Sequence, residues 1–230
     1  MGKKRLIILS GAGISAESGL RTFRDSDGLW EGYDIEEVAT PRGFASNPQL
    51  VLDFYNIRRK DVAAAKPNKA HTGLAELEAD FDVTIITQNI DDLHERGGST
   101  NVLHLHGEIF KMRSVLGYDV TYDIKGDINV GDMAADGGQL RPHIVWFEEA
   151  VPAMEAAVAI MRSAELFAVV GTSLVVYPAA GLVNYAPYEI PKFIIDKSIP
   201  NTQSLYNLTK IEMPATTGVT ELLKMLKKYI

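Results

Sequence analysis

Five histidines stand in the chain, at positions 71, 94, 104, 106 and 143, and one of them is placed for acid–base work. In Val102-Leu103-His104-Leu105-His106-Gly107, strand alternation puts His104 and His106 on one face, with His106 at the end just before a glycine. Imidazole needs the least tuning of any side chain to serve as a base near neutral pH. An H-x-H pair can also hold a metal, but no further ligand pair has matching spacing. His71 and His94 read as helix-surface residues. A second group suits a nucleotide. Gly11-Ala12-Gly13-Ile14-Ser15-Ala16 fits the G-x-G-x-x-G/A pattern between a strand-like run and a helix-like segment. There the glycines let backbone approach a pyrophosphate, and a helix start offers free N–H donors. A tight turn without a ligand satisfies the same pattern. Gln88, Asn89 and Asp91, in Thr87-Gln88-Asn89-Ile90-Asp91-Asp92, offer amides and a carboxylate to a carboxamide and a ribose, or serve only as turn formers and caps. Gly171-Thr172-Ser173 follows another apolar run in the same way. Asp196, after Phe193-Ile194-Ile195, either accepts from ribose hydroxyls or caps a strand end.

These groups need strand ends to carry them. Apolar runs at residues 6–9, 83–86, 102–105, 167–170 and 193–195 read as buried parallel strands, with helix-like segments between several of them. Asn47-Pro48 is a helix start, Asn68 caps a second helix through Leu77, and residues 219–230 form an amphipathic helix with lysines in its last turn. The fold class expected is α/β, a Rossmann-like parallel sheet domain with a small second module formed by two insertions. The larger part covers about 1–30, 71–110 and 141–230, and the module about 31–70 and 111–140. The first insertion looks helical. The second is rich in glycine and aspartate, and its alternating Val120, Tyr122 and Ile124 suggest short hairpins.

A chain of 230 residues suits one large α/β domain with a small appended module, and its net charge of −7 argues against a basic nucleic-acid surface. The absence of cysteine excludes disulfides, thiolate metal sites and a catalytic thiol. No apolar run is long enough to span a membrane, and the basic start is followed by a short strand-like run and then glycines rather than a long apolar stretch. A cytoplasmic monomer that binds neither nucleic acid nor membrane is the expectation.

Taken together the motifs resemble those of the sirtuin family. The matching segments are residues 11–19, Thr22-Phe23-Arg24, Gly28-Leu29-Trp30, residues 87–91, Leu93-His94, residues 104–107, residues 141–147, Gly171-Thr172-Ser173 and Tyr177-Pro178-Ala179-Ala180, all in family order. The resemblance implies an NAD-dependent protein lysine deacylase, with NAD and acyl-lysine meeting in a cleft between the two parts. The acyl oxygen attacks the ribose carbon bearing nicotinamide, and His106 serves as base for a ribose hydroxyl. The products are nicotinamide, deacylated lysine and acyl-ADP-ribose. Asn89 and Asp91 join His106 as catalytic residues. Gly11, Ala12, Gly13, Ser15, Ala16, Gln88, Ile90, Gly171, Thr172 and Ser173 fall at cofactor positions, as do Thr22, Phe23, Arg24 and Trp30 of a closing loop. Asp196 and Ala215 fall on the adenosine side. Val145, Trp146 and Phe147 match the edge to which a substrate peptide adds as a strand. Tyr55 and Arg58, one helical turn apart, mark the class that removes succinyl and malonyl groups as well as acetyl. A surface pair on an amphipathic helix is the plain alternative.

Two departures stand out. The family's four zinc-binding cysteines are missing from residues 111–140, so no zinc is expected. Burial of Met112, Val115, Leu116, Tyr118, Val120, Tyr122, Ile124, Ile128, Val130 and Met133 is left to hold that segment, which is expected to be shorter or looser. Phe147-Glu148-Glu149 replaces the usual Phe-Gly-Glu, and Glu148 there is expected to narrow the peptide groove or to disfavour some peptides. Glu148 keeps open a rival reading, an NAD glycohydrolase or ADP-ribosyltransferase in the same pocket, while the intact His106, Asn89 and Asp91 weigh against a third, a non-catalytic NAD sensor.

Overall fold

The computed structural model describes residues 2–21, 29–30, 32–202 and 205–230, with residues 29 and 30 described by their backbone alone. Thr22, Phe23, Arg24 and the Trp30 side chain lie outside the described residues. Strand β1 (Arg5–Ser10) leads into two short 3-10 turns, Ala12–Ile14 and Ala16–Ser18. A ribbon of β2 (Leu29–Trp30) and β3 (Tyr33–Asp34) precedes helices α1 (Ile35–Val38), α2 (Pro41–Ser46), α3 (Pro48–Ala64) and α4 (Lys69–Glu76). Next come β4 (Asp82–Thr87), α5 (Leu93–Arg96), β5 (Val102–His104), β6 (Gly107–Ser114), β7 (Thr121–Asp123) and β8 (Leu140–Ile144). The chain closes with α6 (Met154–Arg162), β9 (Leu166–Val170), a 3-10 segment Ala179–Tyr185, β10 (Lys192–Asp196), β11 (Leu208–Glu212) and α7 (Ala215–Leu226). Capping residues set several helix starts. Thr40 accepts from Gly43 N at 3.0 Å ahead of Pro41, Asn47 from Leu50 N at 3.1 Å ahead of Pro48, and Asn68 shares a capping box with His71.

Six strands form one parallel sheet in the order β11-β10-β9-β1-β4-β5. The runs of β1, β4, β9 and β10 are buried on both faces, as a covered parallel sheet requires, while the edge strand β5 is half-buried. One face packs on α4 and α7 through Leu74, Val219 and Leu222, and the other on α6 and the Ala179–Tyr185 segment through Met161 and Leu182. The chain leaves β1 toward β4 on one side and returns to β9 on the other. That reversal opens a crevice at the carboxyl ends of β1 and β9, where α/β sheets bind ligands. Beyond this sheet, α1, α2 and α3 pack around Val51, Phe54 and Tyr55 against Ile109, Ile144 and Trp146.

The segment 111–140 corrects an expectation. Val115, Leu116, Val120, Val130 and Met133 are exposed, and Ile128 is buried at 1% exposure. Polar clasps hold the segment instead. Asn56 on α3 brackets Ile128, donating to its carbonyl at 2.9 Å and accepting from its N–H at 3.0 Å. Arg59 reaches the Ile109 and Gly126 carbonyls. Gln139 accepts from Gly131 N and donates to the Asn129, Asp132 and Leu140 carbonyls. Ser114 donates to Asp136 at 2.9 Å and accepts from Leu116 N. Directional bonds to otherwise orphaned backbone groups do here what apolar burial was expected to do.

Candidate active site

The turn after β1 rests on the turn after β9. Gly13 N donates to the Gly171 carbonyl at 2.8 Å, and a Cβ built on Gly13 would meet that oxygen at 2.7 Å. Glycine at 13 is therefore required by contact between two loops. The α-helix expected after this turn is absent. Two 3-10 turns take its place, and Glu17 in the second caps α7 by accepting from Thr216 N at 3.0 Å. Gly11, Ala12, Gly13 and Ser15 line a cleft together with Gln88, Asn89, Ile90, Asp91, His106, Gly171, Thr172 and Ser173. Residues from four strand ends, those of β1, β4, β5 and β9, thus meet around one space.

The polar groups of this cleft are fixed from behind by histidines that the sequence reading placed on helix surfaces. His71 and His94 are both fully buried, with rings 5.1 Å apart. His71 Nδ1 accepts from Asn68 N at 3.2 Å, so its Nε2–H faces Ser15 Oγ at 3.5 Å. Ser15 in turn donates to Asp91 at 3.0 Å and accepts from the Asn89 amide at 3.1 Å. Ser10 donates to Thr87 Oγ1 at 2.9 Å, which leaves its oxygen to accept from His94 Nε2 at 2.8 Å. Thr87 Oγ1 also accepts from Asn89 N at 3.1 Å. His104 differs, because both ring nitrogens face acceptors, the Asn89 carbonyl at 3.1 Å and the Glu95 carboxylate at 2.8 Å. Burial disfavours its charge, but Glu95 and the Asn89 carbonyl outweigh it and raise its pKa.

Burial drives the other two histidines the opposite way, His71 to about 4 and His94 well below the ordinary 6.5. Both folded-state pKa values are depressed, so the unfolded chain binds more protons over this window. Stability is fully present above about pH 6.5 and falls as pH drops toward 4. His104 works in the reverse sense, since its contribution fades only as pH rises above its elevated value. We expect the melting temperature to drop between pH 7 and pH 4.5, by an amount set by about 1.4 kcal/mol per pKa unit withdrawn. An unchanged melting temperature across that range would show that neutral histidines do not support the site.

His106 lies just beyond β5, where the chain turns into β6. Gly107 makes that turn with φ of 82°, and any side chain there would press on the His143 carbonyl. His106 Nδ1 lies 2.9 Å from the Gln88 carbonyl, which can only accept, so Nδ1 carries the proton and Nε2 presents a lone pair. Burial lowers its pKa, partly offset by the Gln88 bond, and the ring is neutral at neutral pH. Asp91 is 5% exposed, and burial raises its pKa against the bonds from Leu93 N and Ser15.

The far end of the cleft is formed by α3 and the segment after β8. Tyr55 is fully buried and Arg58 is 8% exposed, so the surface-pair alternative is ruled out. Both line the cleft, and Arg58 donates to the Arg21 carbonyl at 3.3 Å. Val145, Trp146 and Phe147 form one wall. A buried ion network, undetected in the sequence, holds that wall. Arg141 pairs bidentately with Glu149 at 2.6 and 3.0 Å and stacks 3.2 Å over the Trp146 ring, while Glu149 accepts from Trp146 N at 2.8 Å. Arg113 joins at 3.5 Å from the small sheet. Breaking one partner of such a network strands a buried charge. Three expected residues stand apart from the cleft lining. Ala16 sits in the second 3-10 turn, Asp196 at the end of β10, and Ala215 in the core at the start of α7.

A parallel sheet with a switch-point crevice, a neutral histidine and an amide–carboxylate pair defines a nucleotide-dependent α/β enzyme site. Comparison with known proteins gives it a family. Residues 11–178 match the Sir2 family. An NAD-dependent protein deacylase of Helicobacter pylori strain 26695 is 52% identical over 223 residues, 97% of each chain. Another from Bacteroides thetaiotaomicron is 48% identical over 97% of this chain and 98% of the relative. Among solved structures, a Sir2 homologue in complex with NAD superposes with a TM-score of 0.86 at 36% identity, over 99% of this chain and 91% of the other. Sir2 bound to an acetylated peptide superposes at 0.78 with 29% identity, over 97% and 93%. The chain belongs to the Sir2 family.

Proposed function

We propose that this protein removes acyl groups from protein lysines at the expense of NAD, giving nicotinamide and O-acyl-ADP-ribose. The observation that carries the reading is His106, whose unprotonated Nε2 stands in the cleft beside Asn89 and Asp91. The donor set suits the cosubstrate. Gln88, Asn89 and Asp91 match the carboxamide and ribose hydroxyls, and the paired loops at 11–13 and 171–173 match the phosphates. Ser15 and Ile90 complete that pocket, with Thr22, Phe23, Arg24 and Trp30 assigned by resemblance to the closing loop. Asp196 and Ala215 are assigned to the adenosine end. Bound NAD supplies a ribose carbon with nicotinamide as leaving group. His106 Nε2 then takes the proton of a ribose hydroxyl, and Asn89 and Asp91 orient that ribose. Val145, Trp146 and Phe147 form the wall along which the acyl-lysine peptide lies. Tyr55 and Arg58 receive the acyl end and favour succinyl and malonyl over acetyl. Glu148 at the end of the peptide wall pairs with Arg42.

The test is nicotinamide release from NAD with and without a panel of acyl-lysine peptides. Release that requires peptide supports the deacylase. Peptide-independent release points to a glycohydrolase, and NAD binding without turnover to a sensor.

The same reading assigns residues 31–70 and 111–140 to a zinc-free small module on a cytoplasmic monomer without affinity for nucleic acid or membrane. No helix among the described residues is long and apolar enough to cross a membrane. Residues 111–140 offer neither cysteine nor histidine, and the described residues bring no three metal-binding side chains together. Prolonged chelation is expected to leave both melting temperature and deacylation unchanged. Stoichiometric zinc whose removal unfolds or inactivates the protein would contradict this.

A further inference from the structure

We infer that Glu148 is a specificity-determining residue that reads a cationic side chain flanking the acyl-lysine of the substrate. The inference rests on the deacylase reading and adds to it a preference in peptide sequence. Glu148 occupies the left-handed backbone region, with φ of 71°, which is unfavourable for a residue bearing a side chain. Its carboxylate is held on the rim of the cleft. Arg42 at the start of α2 donates through Nη2 at 2.5 Å and Nε at 3.2 Å, with side chains 70% and 45% exposed. The neighbouring Phe147 N–H donates to the Ala39 carbonyl at 3.0 Å, so this rim joins the α1–α2 connection to the wall of the peptide track. Val176 and Tyr177 line the same cleft. A peptide lying along the wall of residues 145–147 runs beside Glu148.

The charges around that point favour a cation. Arg42 uses two of about four acceptor positions on the carboxylate, so a second cation can bind without displacing it. The exposed Glu36 of α1 is within electrostatic reach of Arg42. Two carboxylates, Glu148 and Glu36, therefore face one guanidinium there. The next acid, Glu149, is already bound by Arg141 and Arg113. The acyl end of the cleft is the reverse, with Arg58 and Arg21. A lysine carrying an acidic acyl group, next to an arginine or lysine, matches this polarity at both ends.

The test compares kcat/KM on three peptides that share one acyl-lysine and carry arginine, alanine or glutamate beside it. The wild-type enzyme is expected to favour the arginine peptide over the glutamate peptide by about 2- to 5-fold, as exposed charge pairs allow, with the ratio shrinking in high salt. Glu148→Gln should bring the ratio toward one. Arg42→Ala, which frees the carboxylate, should raise it. An equal ratio in wild type and Glu148→Gln, a ratio of one in the wild type, or a fall in Arg42→Ala would each overturn the inference. So would a uniform loss on all three peptides in Glu148→Gln, which marks a structural role. Turnover of the alanine peptide by the wild type checks the deacylase reading separately.

Discussion

His106→Ala lowers deacylation by about 10²–10⁴, the usual cost of a lost general base, while NAD binding stays largely intact. The asymmetry follows from where the ring sits. Its Nδ1 bond goes to the Gln88 carbonyl, and Nε2 points into the cleft, so removing the ring deletes a base without touching the Ser15–Asn89–Asp91 group. Lowered by burial, the His106 pKa lies below 6.5, so the base is unprotonated over the whole neutral range. Single-turnover rates and NAD titration on the purified variant check both halves. Near-normal turnover would remove His106 from the mechanism, and lost NAD binding would make it a structural residue of the pocket.

Arg58→Met is expected to cost succinyl-lysine activity far more than acetyl-lysine activity. A charge-assisted hydrogen bond to a carboxylate contributes about 1.5–3 kcal/mol, or roughly 10- to 150-fold in kcat/KM. The acetyl group has no carboxylate to lose. Arg58 is buried beside Tyr55, whose phenol is raised well above its ordinary range by burial and so stays a hydrogen-bond donor at all working pH values. Methionine keeps much of the volume, and the ratio between the two substrates cancels any general loss of packing. Equal losses on both would assign Arg58 a structural role.

How much of this was legible in the sequence depended on whether a residue's role was local. Strands β1, β4, β9 and β10 stood out because both faces are buried and the runs are continuously apolar. Gly11, Gln88, Asn89, Asp91 and Gly171 stood out because each follows such a run, and strand ends carry ligands in this architecture. What went unread depended on contacts far apart in the chain. Residues 93–96 form one helical turn, too short for periodicity to reveal that His94 faces inward to Ser10, 84 residues away. His71 is buried because Ser15 faces it, 56 residues off. The apolar residues of 111–140 suggested a small core, yet Asn56 and Gln139 hold the segment through backbone groups that no hydrophobic pattern records. Glu148 was legible as a departure from the family pattern, but not that Arg42, 106 residues earlier, holds its carboxylate.

The central claim is that the acyl group leaves the lysine for ADP-ribose, and one measurement addresses it directly. The purified protein is incubated with NAD and a succinyl-lysine peptide, and nicotinamide, deacylated peptide and succinyl-ADP-ribose are quantified by mass spectrometry through the time course. The three products are expected in equimolar amounts, none forming when NAD or peptide is withheld. Nicotinamide accompanied by free ADP-ribose, with the peptide still acylated, would contradict the account.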